Sequence, residues 1–252
     1  MNAASSTAGA EKSPGFLQRA LHRLHRDTSR AMGRDALTGL RIQSGHELVR
    51  LGSRYGGWII PASAIHSDSI CYCAGVGEDI SFDLALMERF SCEVHAFDPT
   101  PRAIDFVRRT AADVTGFHFH PVGIWERDEQ LRFYAPSNPD HVSHSVMNLQ
   151  QTDSFFEAPC RSLPSLMKQL GHARIDLLKL DIEGAEQRVL VAMLKEGLTV
   201  NVLCVEFDEA TMEWTAERKR RIAATADALA SQGYVLVAQE GRSNYTFLHR
   251  GA

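Results

Sequence analysis

The chain has 252 residues, of which 44% are hydrophobic and 23% charged, ordinary usage for a globular domain that excludes a disordered or fibrous chain. Lys and Arg number 27 against 31 Asp and Glu, a formal net charge of -4, so no global polycation is present and a nucleic-acid partner is not expected. No apolar run reaches the roughly 18 residues a membrane span needs, and the five cysteines read as reduced, buried thiols of a cytoplasmic protein.

Residues 1–15 are small and polar and are expected to form a disordered tail. Residues 16–54 read as a basic helical extension. Phe16, Leu17, Ala20, Leu21 and Leu24 recur at helical spacing, with Arg19, Arg23, Arg26 and Arg30 between and after them. Such a helix can pack on the domain, join two subunits into a homo-oligomer, touch an acidic or membrane surface, or serve as a targeting segment. The main domain is expected over residues 55–252. Trp58, after a glycine pair, is either a core anchor or a cover for a ligand cleft.

From Ser69 onward, apolar runs of strand type alternate with helical stretches. Ile70–Ala74 reads as a strand, Ile80–Phe90 as a helix and Val94–Phe97 as a strand. Pro101–Thr110 is a helix with proline in its first turn. Phe117–His120 and Leu131–Tyr134 read as strands, Leu163–Leu170 as a helix, Ile175–Leu180 as a strand and Ala185–Lys195 as a helix. Val202–Phe207, Ala216–Ala230, Tyr234–Ala238 and Tyr245–Leu248 continue as strand, helix, strand and strand, the last two forming a hairpin. This alternation predicts an α/β fold: a mostly parallel sheet with helices on both faces and an antiparallel finish. Ligands of such sheets lie beyond the carboxyl ends of the strands, where strand order reverses.

The residues after the first of these strands are Gly75-Val76-Gly77-Glu78-Asp79. Two glycines allow a sharp turn and close approach of a ligand to the backbone. The third glycine of a dinucleotide motif is replaced by Ile80, and Glu78 and Asp79 would repel a pyrophosphate. A ligand bearing an ammonium or sulfonium group suits this turn better. Asp98 ends the next strand, 98 − 77 = 21 residues after Gly77, near the spacing of about 20 for an acid that binds ribose hydroxyls. Asp98 also reads as a helix N-cap. An adenosine ligand without phosphates, S-adenosylmethionine above all, satisfies both positions. Asp181 and Glu183 follow the strand at 175–180, and Glu206 and Asp208 end the strand at 202–207, placing carboxylates at two further strand ends. His118 and His120 share one face of their strand, and with no carboxylate or cysteine at ligand spacing they read as structural.

Three segments carry a resemblance to a known family: "SICYCAGVGEDISFDLALMERFSCEVHAFDPTP", "FYAPSNPDHVSHSVMNLQ" and "RIDLLKLDIEGAEQRVL". They resemble the FkbM-type methyltransferases, class I S-adenosylmethionine-dependent O-methyltransferases, over about Tyr55 to Phe247. The resemblance implies a Rossmann-like, seven-stranded sheet whose last strand is antiparallel. It also implies methylation of a hydroxyl on a sugar, natural product or other small-molecule acceptor. Carried onto this chain, Gly75, Val76, Gly77, Glu78 and Asp79 surround the methionine and ribose, and Asp98 takes the ribose hydroxyls. Pro99 and Thr100 line the adenosine, Val122 and Gly123 lie near adenine with Trp125 as a packing surface, and Asp181 and Glu183 face the methyl group and acceptor.

A hydroxyl acceptor must lose its proton, which a base or a metal ion can assist. In one route the base is a histidine of the segment 139–145, His144 being preferred to His141. In the other, Asp181 with Glu206 or Asp208 holds a divalent cation such as magnesium. Two other functional classes fit the same sheet: a nicotinamide-dependent oxidoreductase, and a binding module that keeps S-adenosylmethionine without turning it over.

Overall fold

The computed structural model describes residues 39–136, 144–148, 151–207, 216–241 and 243–251. The expected tail and basic helix, with any oligomer contact made through that helix, lie outside the described residues, as do His141 and Asp208.

The chain enters through a hairpin, β1 (Leu48–Leu51) and β2 (Trp58–Pro61), which pair antiparallel. It then alternates through β3 (Ile70–Ala74), α1 (Ser81–Phe90), β4 (Glu93–Phe97), α2 (Pro101–Thr110) and β5 (Phe117–His120). Next come β6 (Gly123–Ile124), β7 (Glu129–Tyr134), β8 (Phe155–Arg161) and α3 (Leu163–Leu170). The chain finishes through β9 (Leu177–Leu180), α4 (Glu186–Lys195), β10 (Val202–Glu206), α5 (Ala216–Ser231), β11 (Tyr234–Glu240) and β12 (Asn244–His249). Seven strands form one sheet in the order β11-β12-β10-β9-β3-β4-β5. Strands β10, β9, β3, β4 and β5 are parallel, and β12 runs antiparallel to both its neighbours. A second sheet, β6-β8-β7, fills the connection between β5 and β9. The expected fold, with its antiparallel final strand, is the one observed.

Alternation along the strands sorts the core into two layers. Tyr72 and Ala74 face one layer with Leu163, Leu166, Val189, Leu190, Ile222 and Leu229, so α3, α4 and α5 cover that side. Cys71 and Cys73 face the other with Phe82, Leu86, Ala103 and Val107, so α1 and α2 cover it, joined by Trp58 and Ile60 of the hairpin. Trp58, 2% exposed, is therefore a core anchor and not a cover for the cleft. All five cysteines are free and buried, as expected.

Two boundaries differ from expectation. Residues 48–51 were assigned to a helical extension and are a strand, and position 55 falls inside the hairpin that this strand forms. Leu40 and Ile42 already pack on the core, and the Gln43 N–H donates to the Leu236 carbonyl. The folded unit thus begins before residue 48, because the β1–β2 hairpin is held by its packing on the core, which short sequence windows do not register. Strand β8 was also unforeseen. Pro159 lies in its middle, a residue that argues against a strand. It is accommodated because β6 pairs only Cys160 and Arg161, leaving Pro159 with β7 alone.

Candidate functional site

Chain order reverses between β3 and β9. From β3 the chain moves outward to β4 and β5, then returns to lay β9 on the other side of β3. The crevice beyond their carboxyl ends is where ligands of open α/β sheets bind. Gly75 follows β3 and Asp181 follows β9, and the two touch: the Asp181 N–H donates to the Ala74 carbonyl at 3.2 Å. Gly75 has φ +84°, and a Cβ there would lie 1.7 Å from the Asp181 carbonyl oxygen. No side chain fits at that crossing, which accounts for the glycine.

Asp98, 6% exposed, ends β4 and clamps this turn. Its Oδ2 accepts the backbone N–H groups of Val76 (2.9 Å) and Gly77 (3.0 Å). Its Oδ1 accepts the Thr100 N–H (2.8 Å) and hydroxyl (2.7 Å). Thr100 in turn caps α2 by accepting from the Ala103 N–H. Four donors on two oxygens match the carboxylate's acceptor capacity. Asp98 therefore orders the glycine turn and the adjacent helix entry before any ribose hydroxyl reaches it.

The other residues expected around the cofactor divide into two groups. A cavity of about 50 Å³ is lined by Gly75, Asp98, Pro99 and Gly123, with the indole of Trp125 and the Phe133 ring among its walls. Asp98 is the only charged side chain in that lining. Val122, Glu78 and Asp79 are not part of it. Val122 packs against the core layer. Glu78 pairs with Arg102 at 2.9 Å. Asp79 turns toward the hairpin, where it accepts from the Ser53 hydroxyl (2.6 Å) and the Ser81 N–H (2.8 Å). Burial would raise the Asp79 pKa, but these hydrogen bonds outweigh it and the net shift is downward. A larger cavity of about 370 Å³ lies near Leu40–Ser44 and the start of β11, at the amino end of the strands. Its described lining holds no carboxylate, whereas the smaller cavity lies where the carboxyl ends of β3 and β4 meet Asp98.

On the acceptor side, Asp181 and Glu206 meet across β9 and β10. Their carboxyl groups share a hydrogen bond, and the Ser243 hydroxyl donates to Glu206 Oε1 at 2.9 Å. Burial, then the Asp181 charge, pushes Glu206 up to about 8. Lys179, unforeseen as a functional residue, completes the group. Its Nζ lies 3.1 Å from Asp181 Oδ2 and donates to the Gly75 carbonyl at 2.7 Å. Burial acts to lower the Lys179 pKa, but Asp181 and Asp83 overcome this and raise it. The signal was present in the sequence, where Leu177-Leu178-Lys179-Leu180 sets one cation inside an apolar strand. Lys179 also bears on the divalent-cation expectation. With Asp181 already neutralised by an ammonium and Glu206 retaining a proton, these two carboxylates fit a metal ion poorly.

Glu183 and His144 lie nearby but otherwise than expected. Glu183 adopts φ +58°, and its backbone carbonyl accepts the Ser145 hydroxyl at 2.6 Å. The loop bearing His144 is thereby tied to the residues after β9. The His144 ring packs edge-on against Phe156 at 5.3 Å between centroids, toward the small sheet. Among the described residues of that loop, Val146 is the one that reaches the cavity wall.

Glu186, 2% exposed, folds the turn after β9 by accepting from the N–H groups of Ile182 (2.7 Å) and Gly184 (3.3 Å). Burial raises its pKa to about 8 against an ordinary 4.5. The folded chain then binds more protons than the unfolded one between these values. Stability from this group is complete below pH 4.5 and is lost as pH rises through 8. Glu186→Gln keeps the acceptor oxygen without the charge. We expect it to flatten urea-denaturation stability across that window and to be the more stable form at pH 8. A pH dependence equal to that of the parent would remove this account of Glu186.

Comparison with known proteins places these features. The model of the methyltransferase FkbM domain matches residues 71–236. The chain is similar to the probable methyltransferase-like protein 24 of Rattus norvegicus, with 23% identity over 178 residues, 71% of this chain and 42% of that protein. The protein of the same name from Homo sapiens is 28% identical over 127 residues, 50% of this chain and 28% of that one. The chain thus spans less than half the length of these curated relatives. Among solved structures, Aeropyrum pernix fibrillarin in complex with natively bound S-adenosyl-L-methionine aligns at 13% identity with a TM-score of 0.40, covering 84% of each chain.

Proposed function

The chain belongs to the FkbM methyltransferase family, and from that premise we propose that it moves a methyl group from S-adenosylmethionine to a hydroxyl of a small-molecule, sugar or natural-product acceptor. The observation that carries this reading is the meeting of the Asp98-clamped glycine turn with the Lys179–Asp181–Glu206 group at the β3–β9 crevice. The lining of this cavity, rather than its volume of about 50 Å³, matches a nucleoside in chemistry. Its walls are aromatic and apolar, its one charge is negative, and no cation in its lining would hold a pyrophosphate. That composition weighs against a nicotinamide enzyme.

When bound, S-adenosylmethionine supplies a methyl group already activated on a sulfonium. The protein's task is then alignment and proton removal. The Gly75 carbonyl is oriented by Lys179, and the backbone N–H groups of Val76 and Gly77 by Asp98, so the turn is fixed before a ligand arrives. Fixed polar groups of this kind need no rearrangement during reaction. Glu206, once its own proton has left, accepts the hydroxyl proton, beside an Asp181 held by Lys179. A pair whose proton leaves near pH 8 is matched to that role at physiological pH. This proton demand favours a hydroxyl over an amine acceptor.

Titration calorimetry of the full chain with S-adenosylmethionine is expected to give one site of micromolar affinity. Asp98→Ala should weaken it at least about tenfold, since the loosened turn must be reordered on binding. Unchanged affinity in that variant would remove Asp98 from the site. Incubation with methyl-labelled cofactor and a panel of alcohols and sugars separates an enzyme from a binding module. Binding without release of S-adenosylhomocysteine across the panel favours the module.

A further inference from the structure

Glu93, His95 and His118 converge on the face of the sheet that packs against α3, at the β4–β5 edge. His95 and His118 are register partners across the parallel ladder, and Glu93 lies two residues before His95 on the same face. One ligating atom of each residue lies within 4.8 Å of the other two. We infer that Glu93, His95 and His118 form a site for a divalent transition-metal ion of the zinc type. Two imidazoles with one carboxylate select zinc, cobalt, nickel or copper over magnesium or calcium, which prefer all-oxygen sets.

The strongest support is His95 itself, 5% exposed, whose Nε2 is buried without a hydrogen-bond partner. Buried polar atoms are nearly always satisfied, so this orphan needs an explanation. Glu93 Oε2 stands 3.9 Å from it, beyond a hydrogen bond. Two ligands at about 2.1 Å on a tetrahedral ion sit about 3.4 Å apart. The His118 ring stacks on that of His95, with centroids 4.7 Å apart, so it must swing out of the stack to turn a nitrogen toward the ion, which its exposure permits, as it does for Glu93.

The surroundings set the tautomer. His95 Nδ1 lies 3.1 Å from His120 Nε2. With the proton on His95 Nδ1 donated to His120, the Nε2 lone pair is left for an ion beside Glu93. A second ring nitrogen held in this way orients most metal-bound histidines. His95 is also kept neutral: burial, then His172, His118 and His120, push its pKa down to about 3. The site is separate from the crevice, since three strand residues from His95 to Asp98 span about 10 Å. An ion here would join the edge strand β5 to β4. The carboxylate absent from the sequence spacing around His118 and His120 is supplied by the neighbouring strand.

The test is cobalt(II) and zinc(II) titration of the chelator-treated full chain. One ion per chain is expected, with ligand-field absorption in the visible and no thiolate charge-transfer band, because the cysteines are not ligands. Glu93→Gln with His118→Ala should abolish that spectrum while leaving the metal-free melting temperature unchanged, as both side chains are exposed. His120→Phe should keep the stoichiometry and weaken affinity roughly 10- to 100-fold. Absence of saturable binding, or binding undiminished in the double variant, would overturn the assignment.

Discussion

Lys179→Met is expected to destabilise the domain by about 3–5 kcal/mol, the range seen when one partner of a buried ion pair is removed. The ammonium is 5% exposed and lies 3.1 Å from Asp181 Oδ2. Asp83, also buried, lies close enough for the two charges to affect one another. Burial raises Asp83 to about 6, and Lys179 acts against that rise. Without the lysine, buried Asp83 and part-buried Asp181 both lose their compensating charge, and the Gly75 carbonyl loses its donor. At about 2–4 °C per kcal/mol, the melting temperature should fall by roughly 10 °C. The double variant Lys179→Met with Asp181→Asn should recover much of the loss, because it removes the uncompensated charge together with its partner. Urea denaturation of the parent and the two variants measures this. A single-variant loss below about 1 kcal/mol would mean that the lysine is not what neutralises the group.

The second large effect is on rate. Glu206→Gln is expected to lower kcat/KM by on the order of 10²–10⁴, the usual worth of a positioned general base. In the parent protein, kcat/KM should rise about tenfold per pH unit and level off above about 8, where Glu206 loses its proton. The variant should lack that limb, while cofactor affinity stays within about threefold. The glutamine retains the Ser243 contact in shape but cannot receive a proton. A limb that survives in Glu206→Gln and is abolished by His144→Asn would transfer the role to His144. The edge-on packing of its ring on Phe156 argues against that outcome.

The apolar strands and the helices between them were legible because their signals are local. Ile70–Ala74, Pro101–Thr110, Phe117–His120 and Leu163–Leu170 have the same ends in the structure as in the sequence reading. The hairpin β1–β2 and strand β8 were not, since the hairpin depends on packing against the core and β8 on pairing with the distant β7. The same division runs through the site. Gly75, Asp98, Asp181 and Glu206 stand out because residues after strand ends of an alternating chain fall together, while Pro99, Gly123 and Trp125 follow from the family resemblance. Lys179 was passed over because it lies within a strand, where its environment is set by neighbouring strands. Glu78 and Asp79 were drawn toward the cofactor by proximity in sequence, but Arg102 and Ser53 hold them elsewhere.

The amino-acid sequence by itself determined the strand–helix alternation, the glycine turn and the acids at strand ends, since periodicity and turn chemistry act over a few residues. Only the tertiary structure decided that Asp98 spends its four acceptor positions on the backbone and Thr100. It also decided that Asp181 is shared between an ammonium and a carboxylic acid, and that Glu93 stands beside two histidines. Charges and lone pairs are satisfied through space, by whichever strand lies alongside, and sheet order rather than chain order sets that neighbour.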